Sequence, residues 1–139
     1  MKIEDCKVLV LQKMRESSDY LKAMLVSCGA KAENIYITDS VEVAKTFIFG
    51  EHIFNQCTVD FIITGIGYSG EIGPMLLKCI ERDTDLREDV VVYFYSGGDA
   101  DWTIKKVEEY GADGFLPSND VYLLKERIVN VVKDIQKAN

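Results

Sequence analysis

Short apolar runs alternate along the chain with segments in which apolar residues recur at helical spacing. The runs are continuous and rich in β-branched or aromatic residues, which is typical of strands covered on both faces. They predict strands at Val8–Leu11, Ile35–Thr38, Val59–Thr64, Val90–Tyr95 and Gly114–Leu116. Because a helical segment follows each strand, the pattern predicts a single α/β domain over residues 1–139.

Residues that favour helix ends mark the limits of the five predicted helices. The expected caps or first residues are, in order, Ser17 or Ser18, Asp39 or Ser40, Pro74, Asp101, and Asn119 or Asp120. Gly29 and Gly111 are expected to end the first and fourth helices. Right-handed crossovers then place helices on both faces of a parallel five-stranded sheet, which is a three-layer, doubly wound architecture. Ligands of such sheets gather at the carboxyl ends of the strands.

The composition indicates a protein with an acidic surface. The 139 residues include 23 acidic and 16 basic side chains, for a formal net charge of −7. This charge argues against binding to nucleic acid or to anionic membranes. No apolar run approaches the ~18 residues of a membrane span, and the amino terminus lacks the pattern of a secretory signal. The sequence therefore predicts a cytoplasmic protein.

The cysteine and histidine positions predict no metal site. Cys6, Cys28, Cys57 and Cys79 are too far apart for a C-x-x-C pair, and His52 is the only histidine. A chain of this length can build its own core, so a disulfide framework is not expected. The four cysteines are predicted to be reduced thiols that fill the core, and no cofactor is expected.

Four stretches of the chain follow the motifs of one signalling family. They are KVLVLQKM at 7–14, VDFIITGIGYSGEIG at 59–73, VVVYFYSGG at 90–98 and YGADGFL at 110–116. Together they span essentially the whole chain, and GADGF after a strand that ends in serine is the most specific of them. The chain thereby resembles the response-regulator receiver domain of two-component signalling, the CheY-like family. The resemblance implies a flavodoxin-like sheet with strand order 2-1-3-4-5 and a role in phosphorelay signal transduction.

The positions that carry the chemistry of a receiver differ in this chain. A receiver has an aspartate at the end of its third strand that accepts a phosphoryl group, and the matching residue is Gly65. Two acidic residues after the first strand hold Mg²⁺ in receivers, because this cation prefers carboxylate oxygens. The matching residues are Gln12 and Lys13, and Ser118 matches the lysine that neutralises the phosphoryl charge.

Two receiver positions keep their chemistry. Ser96 matches the switch hydroxyl, and Phe115 matches the switch aromatic residue. With the nucleophile and both metal ligands replaced, the resemblance implies a degenerate pseudo-receiver that keeps the fold but is not phosphorylated. Such a stand-alone domain is expected to have no enzymatic activity and to act in signalling through protein–protein contact.

Trp102 is the candidate residue for contact with a partner. Ile104, Val107 and Tyr110 mark the expected buried stripe of the fourth helix, which leaves Trp102 nearly opposite, toward solvent. In receivers, the face made by the fourth helix, the fifth strand and the fifth helix carries dimer or effector contacts, and an exposed tryptophan there is a typical hot-spot residue. An unidentified protein partner, or a second copy in a homodimer, is therefore expected on this face.

A second function is left open by the sequence. Gly65–Gly70 has the G-x-G-x-x-G spacing of a dinucleotide-binding loop, although it follows the third strand and precedes Pro74. A flexible receiver-type loop explains the same glycines. The alternative is a small-ligand or nucleotide sensor, whose glycine-lined pocket between the first and third strands presents Gln12, Lys13 and Ser96.

Overall fold

The computed structural model describes residues 1–49, 59–66, 72–81, 90–97 and 99–135. Five strands form one parallel sheet in the order β2-β1-β3-β4-β5. They are β1 Val8–Leu11, β2 Ile35–Thr38, β3 Phe61–Gly65, β4 Val91–Ser96 and β5 Gly114–Pro117. The predicted flavodoxin-like sheet is confirmed.

Within the ranges given above, five α-helices alternate with the strands. They are α1 Arg15–Ser27, α2 Val41–Phe49, α3 Ile72–Glu81, α4 Ala100–Tyr110 and α5 Val121–Asp134. Two short 3-10 turns, Ile3–Asp5 and Ala32–Asn34, precede β1 and β2. In the part of the chain that the structure describes, no helix is long and apolar enough to cross a membrane.

A hydrophobic cluster covers each face of the sheet. The first core cluster joins α1 and α5 to one face and includes Val8, Val10, Leu21, Leu25, Phe61, Ile63, Leu124 and Ile128. The second core cluster joins α2, α3 and α4 to the other face and includes Leu9, Leu11, Ala44, Ile48, Ile62, Leu76, Leu77 and Phe94. Successive residues of β1 and β3 therefore point to different clusters, which explains why β1 is apolar throughout and β3 is apolar from Phe61 to Ile63.

The start of α1 differs from the prediction. Neither Ser17 nor Ser18 caps this helix, because α1 begins at Arg15 and Met14 lies at its N-cap position. Ser18 is buried, and its hydroxyl donates to the Met14 carbonyl oxygen at 3.4 Å. A serine in the first turn can satisfy its hydroxyl on the backbone one turn earlier. Its position in the sequence therefore did not identify the cap.

Other predicted helix ends are confirmed. The side chains of Ser40 and Asp120 cap α2 and α5 by accepting first-turn N–H groups at 3.3 and 3.0 Å. Gly29 and Gly111 follow α1 and α4 with φ values of 113° and 75°. Residues with a Cβ atom rarely adopt these values, so glycine at both positions allows the chain to leave the helix.

β3 begins at Phe61, two residues later than predicted, and the contacts of Asp60 explain the difference. The Asp60 N–H donates to the Lys7 carbonyl oxygen at 2.8 Å, and Asp60 Oδ2 accepts the Lys7 N–H at 2.9 Å. Asp60 is only 4% exposed. This buried carboxylate fixes the amino ends of β1 and β3 side by side before the ladder begins.

The predicted core position of the cysteines is confirmed where the structure describes their side chains. Cys6 is buried in the first core cluster, and Cys28 is half-buried against it. Burial raises the pKa of the Cys28 thiol above its ordinary value of 9.0. Cys57, His52 and the side chain of Cys79 lie outside the described part of the chain.

Candidate functional site

The carboxyl ends of β1 and β3 lie side by side, because Leu11 pairs with Thr64 in the sheet register. Gln12, the first residue after β1, is 8% exposed, and its side chain lies over Gly65 at the end of β3. A Cβ atom at position 65 would lie 3.1 Å from Gln12 Oε1 and 3.6 Å from Gln12 Nε2. The Gln12 carboxamide therefore occupies the space into which a side chain at position 65 would extend.

The Gln12 amide is incompletely satisfied. Its Nε2 atom is buried, and it has no hydrogen-bond partner among the described residues. Leaving a buried donor unsatisfied costs about 1–3 kcal/mol. A buried group of this kind in a folded protein marks a place where water, an ion or a ligand can supply the missing acceptor.

The three positions Gln12, Lys13 and Gly65 form what we call the β1–β3 end of the sheet. They carry an amide, an exposed cation and no side chain, respectively. Across the described ranges, no group of three or more His, Cys, Asp or Glu side chains is placed to hold a metal ion. An amide nitrogen and an ammonium group are hydrogen-bond donors, which suit an anion or a carbonyl oxygen better than a divalent cation.

The amino end of α3 packs directly on the end of β3. The helix begins two residues before Pro74 and keeps this proline in its first turn, where the missing N–H is tolerated. A Cβ atom at Gly73 would collide with the Gly65 carbonyl oxygen and would lie 3.2 Å from side-chain atoms of Thr64 and Phe94. Glycine at position 73 is therefore required by the close approach of two backbone segments.

The interpretation of Gly65–Gly70 as a dinucleotide-binding loop stays a prediction. Residues 67–71 lie outside the described part of the chain. The described glycine of this loop, Gly65, ends β3 beneath the Gln12 amide. Its contacts are with protein groups of neighbouring elements and give no sign of a pyrophosphate position.

At the carboxyl end of β4, the Ser96 hydroxyl is bonded to α4. Ser96 Oγ lies 3.2 Å from Thr103 Oγ1, and Thr103 Oγ1 donates to the Asp99 carbonyl oxygen at 2.9 Å. Because a hydroxyl carries one proton, Ser96 must be the donor to Thr103. Thr103 is 1% exposed. This chain of two bonds is therefore a buried connection between β4 and the first turn of α4.

Ser118 follows β5 and lies against the end of β4. Its N–H donates to the Ser96 carbonyl oxygen at 3.0 Å, and its Oγ occupies the space that a Cβ atom at Gly97 would need. The position that matches the receiver lysine therefore carries a short, half-buried hydroxyl. Ser96, Phe115 and Ser118 form what we call the β4–β5 end of the sheet.

Phe115 is held by α5. Arg127 Nη1 donates to the Phe115 carbonyl oxygen at 3.0 Å, and the Arg127 guanidinium lies 4.6 Å from the centroid of the Phe115 ring. The ring itself is half-buried against the second core cluster. A cation over an aromatic face is favourable by about 0.5–2 kcal/mol, depending on its exposure to water. Arg127 therefore contacts both the backbone and the side chain of Phe115.

The predicted orientation of Trp102 is wrong. Trp102 is half-buried and packs against the second core cluster, with the Lys106 ammonium 5.7 Å from its ring centroid. Ile104, which was expected in the buried stripe, is 43% exposed. Thr103 is the buried residue of this turn, because its hydroxyl is satisfied by Ser96 and by the backbone. Val107 and Tyr110 do pack against the second core cluster, so the predicted stripe is wrong only at Ile104.

Sequence reasoning missed Thr103 and Arg127, the residues that hold Ser96 and Phe115. Thr103 lies four residues after Asp99, whose side chain caps α4 by accepting the Asp101 N–H at 2.8 Å. That spacing is a usable signal, since a threonine can bond to the carbonyl oxygen four residues earlier. No local sequence pattern indicates the role of Arg127, because its partner Phe115 lies on another element.

Solved structures of known proteins share the fold of this chain, whereas no family model and no curated protein sequence matches it. A two-component response regulator from Clostridium difficile is 19% identical, with a TM-score of 0.72 over 96% of this chain and 100% of that chain. A response regulator from Thermotoga maritima is 21% identical, with a TM-score of 0.68 over 91% of this chain and 97% of that chain.

A third structure is the receiver domain of a sensor histidine kinase from Pseudomonas aeruginosa, which has a magnesium ion coordinated in its active-site cleft. It is 12% identical, with a TM-score of 0.70 over 94% of this chain and 96% of that chain. This chain has the receiver fold. At these identities the likeness establishes the receiver fold alone, so the function must be argued from the site.

Proposed function

We propose that this receiver-fold chain is a cytoplasmic signal-transduction module that does not accept a phosphoryl group and acts through contact with another protein. The observation that carries the proposal is the position of the Gln12 carboxamide over Gly65. The amide fills the space at the end of β3 in which the aspartate of a receiver is expected. A carboxamide is not a nucleophile toward phosphorus, so this end of the sheet lacks the reacting group.

The charges at the β1–β3 end oppose the binding of a divalent cation. Mg²⁺ is bound through carboxylate and phosphate oxygens, and the Pseudomonas aeruginosa receiver domain coordinates a magnesium ion in its active-site cleft. Here Gln12 is neutral, Lys13 is cationic and Gly65 has no side chain. Without a phosphoryl group to neutralise, the short hydroxyl of Ser118 in place of a lysine has no chemical cost.

Treatment with a small phosphodonor and Mg²⁺, followed by intact-mass measurement, tests the first part of the proposal. The wild-type chain is expected to show no gain of a phosphoryl group. The matched control is a variant with Gln12→Asp, Lys13→Asp, Gly65→Asp and Ser118→Lys, in which the smaller side chain at position 12 leaves room at position 65. A stable phosphoryl adduct on the wild-type chain would refute the proposal.

The face formed by α4, β5 and α5 supports the second part. Both helices pack against β5, and three apolar side chains on them are solvent-exposed: Ile104 at 43%, Val121 at 40% and Tyr122 at 86%. Single exposed apolar residues are common on monomers. Tyrosine, however, is one of the residue types enriched at interaction hot spots. Tyr122 is accordingly a better probe of this face than the half-buried Trp102.

Analytical ultracentrifugation and affinity capture of co-purifying proteins test this face. Tyr122→Ala is expected to reduce self-association or partner recovery without a change in melting temperature. Met75→Ala is the matched control, because Met75 is 52% exposed on α3, outside this face. Equal behaviour of the two variants would remove the α4–β5–α5 face from the proposal. Trp102→Ala is expected to lower the melting temperature as well, since Trp102 packs against the core.

A small-ligand sensor is the second candidate function, and it is favoured by Gln12 Nε2, which lacks a partner among the residues that the structure describes. A ligand that binds only the folded chain raises its stability by mass action. A thermal-shift screen with nucleotides and phosphometabolites distinguishes this candidate, because a pure protein-contact module is expected to show no shift.

A further inference from the structure

A groove of about 460 Å³ lies beside the β1–β3 end, where the carboxyl ends of β1 and β2 meet the start of α1. Gln12, Lys13 and Arg15 form one part of its wall, and Thr38 and Asp39 form the part next to β2. The groove is open to solvent and has the size of a small-molecule site. Its position at the carboxyl ends of parallel strands is the usual place for ligands in this architecture.

The start of α1 reaches this groove through Arg15 and Ser18. The first N–H groups of a helix have no acceptor within the helix. In α4 and α5 the carboxylates of Asp99 and Asp120 accept one of these donors. In α1 the N-cap residue is Met14, whose side chain makes no capping bond in the described structure. The N–H groups of Arg15 to Ser17 therefore have no acceptor within this thirteen-residue helix. They lie at its amino end, which is the positive end of the helix dipole.

The Gln12 side chain is an independent observation that points to a ligand. It is 8% exposed and forms part of the groove wall, and its Nε2 lacks a partner among the described residues. Gln12 Oε1, at 3.1 Å, is the amide atom nearest to the Cβ position of Gly65, and Nε2 lies 3.6 Å from it. The donor that lacks an acceptor is thus the branch of the amide farther from Gly65.

We propose that this groove binds a small oxyanion of the phosphate or carboxylate class. Gln12 Nε2, the side chains of Lys13 and Arg15, and the first N–H groups of α1 are its donors. A bound oxyanion supplies the acceptor that Nε2 lacks and takes the place of the missing helix cap. The inference does not rest on the proposed signalling role, and it gives the second candidate function a ligand class.

Two carboxylates in the groove limit the charge of the ligand. Asp19 and Asp39 also line it, so two acidic and two basic side chains face the same space. Asp19 Oδ2 lies 3.8 Å from Arg15 Nε, and both side chains are largely exposed. An exposed pair of this kind is weak, so Arg15 can turn to an anion. We expect a single phosphate or carboxylate group to bind at least as well as a polyphosphate, whose extra charges would approach Asp39.

Titration with inorganic phosphate, followed by ¹⁵N–¹H NMR at constant ionic strength, tests the proposal. Saturable shifts are expected for the backbone amides of residues 15–17 and for the Gln12 side-chain amide. The capped first turns of α4 and α5 are internal controls and should not shift. A parallel titration with acetate distinguishes a carboxylate source from a phosphate source, and ATP tests the limit on charge.

Three variants test whether the shifts in the phosphate titration come from binding in this groove. Arg15→Gln is expected to weaken phosphate binding about threefold or more, and it should not affect folding because the Arg15 side chain is 93% exposed. Gln12→Met, which removes the buried donor, should weaken binding as well. Lys31→Gln is the matched control, since Lys31 is exposed and lies outside the groove. Shifts that do not saturate, that persist in Arg15→Gln, or that appear equally in α4 and α5 would overturn the proposal. The phosphodonor experiment is unaffected by either result.

Discussion

The β1–β3 end and the β4–β5 end of the sheet differ in how their polar groups are satisfied. At the β4–β5 end, Ser96 donates to Thr103, and the Phe115 carbonyl oxygen accepts a bond from Arg127. At the β1–β3 end, Gln12 Nε2 is buried without a partner in the described structure. The polar groups of the β4–β5 end are bonded to α4 and α5, whereas the β1–β3 end has a buried donor without an acceptor in the described structure.

This difference gives Ser96 and Phe115 a structural role in the fold. Ser96 and Phe115 have structural partners on α4 and α5, so these residues contribute to stability whether or not any switching occurs. In the described structure, Gln12 Nε2 makes no comparable bond. Removing the Gln12 amide is therefore expected to change the chemistry and leave the fold intact, whereas removing the bonds of Ser96 or Phe115 is expected to disturb the packing.

The largest expected effect compares two glycines, Gly73 in α3 beside the β1–β3 end and Gly97 directly after β4. Gly73→Ala should lower the free energy of unfolding by about 3 kcal/mol, because its Cβ meets the Gly65 carbonyl oxygen and overpacking against backbone is costly. Gly97→Ala should cost about 1 kcal/mol or less, because its Cβ meets only Ser118 Oγ, which can rotate away. Urea denaturation measures both values. Equal losses would contradict the close approach of α3 and β3.

The second prediction tests the bonded network of the β4–β5 end. Thr103→Val keeps the buried shape but removes the hydroxyl that bonds to Ser96 and to the Asp99 carbonyl oxygen. We expect the free energy of unfolding to fall by about 2 kcal/mol. Thr103→Ser is the control and should recover most of the loss in the same urea titration. A neutral Thr103→Val would show that the network does not stabilise this end.

The third prediction is a gain of stability, in contrast to the losses above. Gln12→Met removes a buried amide whose nitrogen has no partner in the described structure, and it keeps a side chain of similar length. The free energy of unfolding is expected to rise by about 1 kcal/mol. Thermal and urea unfolding in a buffer without phosphate, sulfate or carboxylate should show the gain. A loss of stability would mean that the amide already has a favourable partner.

The smallest expected effect is a loss of stability at alkaline pH, which involves Tyr95 on β4. Burial, and then the nearby Tyr20, raise the pKa of Tyr95 above its ordinary value of 10.0. The folded state therefore holds the phenol proton more tightly than the unfolded state does. The associated stability is fully present below the unfolded pKa and is lost as the pH rises through the folded pKa.

Melting temperature measured from neutral to alkaline pH checks this sign. The wild-type chain should lose stability more steeply above the ordinary phenol pKa than Tyr95→Phe, which cannot ionise at this position. Tyr93 contributes in the same direction, because burial and the Asp113 carboxylate raise its pKa as well. Parallel curves for the wild-type chain and Tyr95→Phe would contradict the prediction.

Much of the fold was predictable because its signals are local. Continuous apolar runs predicted all five strands, with β1 and β2 at their observed limits. The alternation of strands and helices predicted a parallel sheet, and the family resemblance implied its strand order. Ser40, Asp120 and the two glycines after α1 and α4 marked helix ends correctly. The start of α1 was missed because Ser18 makes its bond inside the helix.

The sequence by itself determined the elements of this protein and the absence of a carboxylate at positions 12, 13 and 65. Residue identity and local spacing are sufficient for both. Only the tertiary structure decided that Gln12 lies over Gly65, that Thr103 and not Ile104 faces the core, and that Ser96 is tied to α4. Each of these depends on contacts between elements that are distant in the chain, which no local pattern encodes.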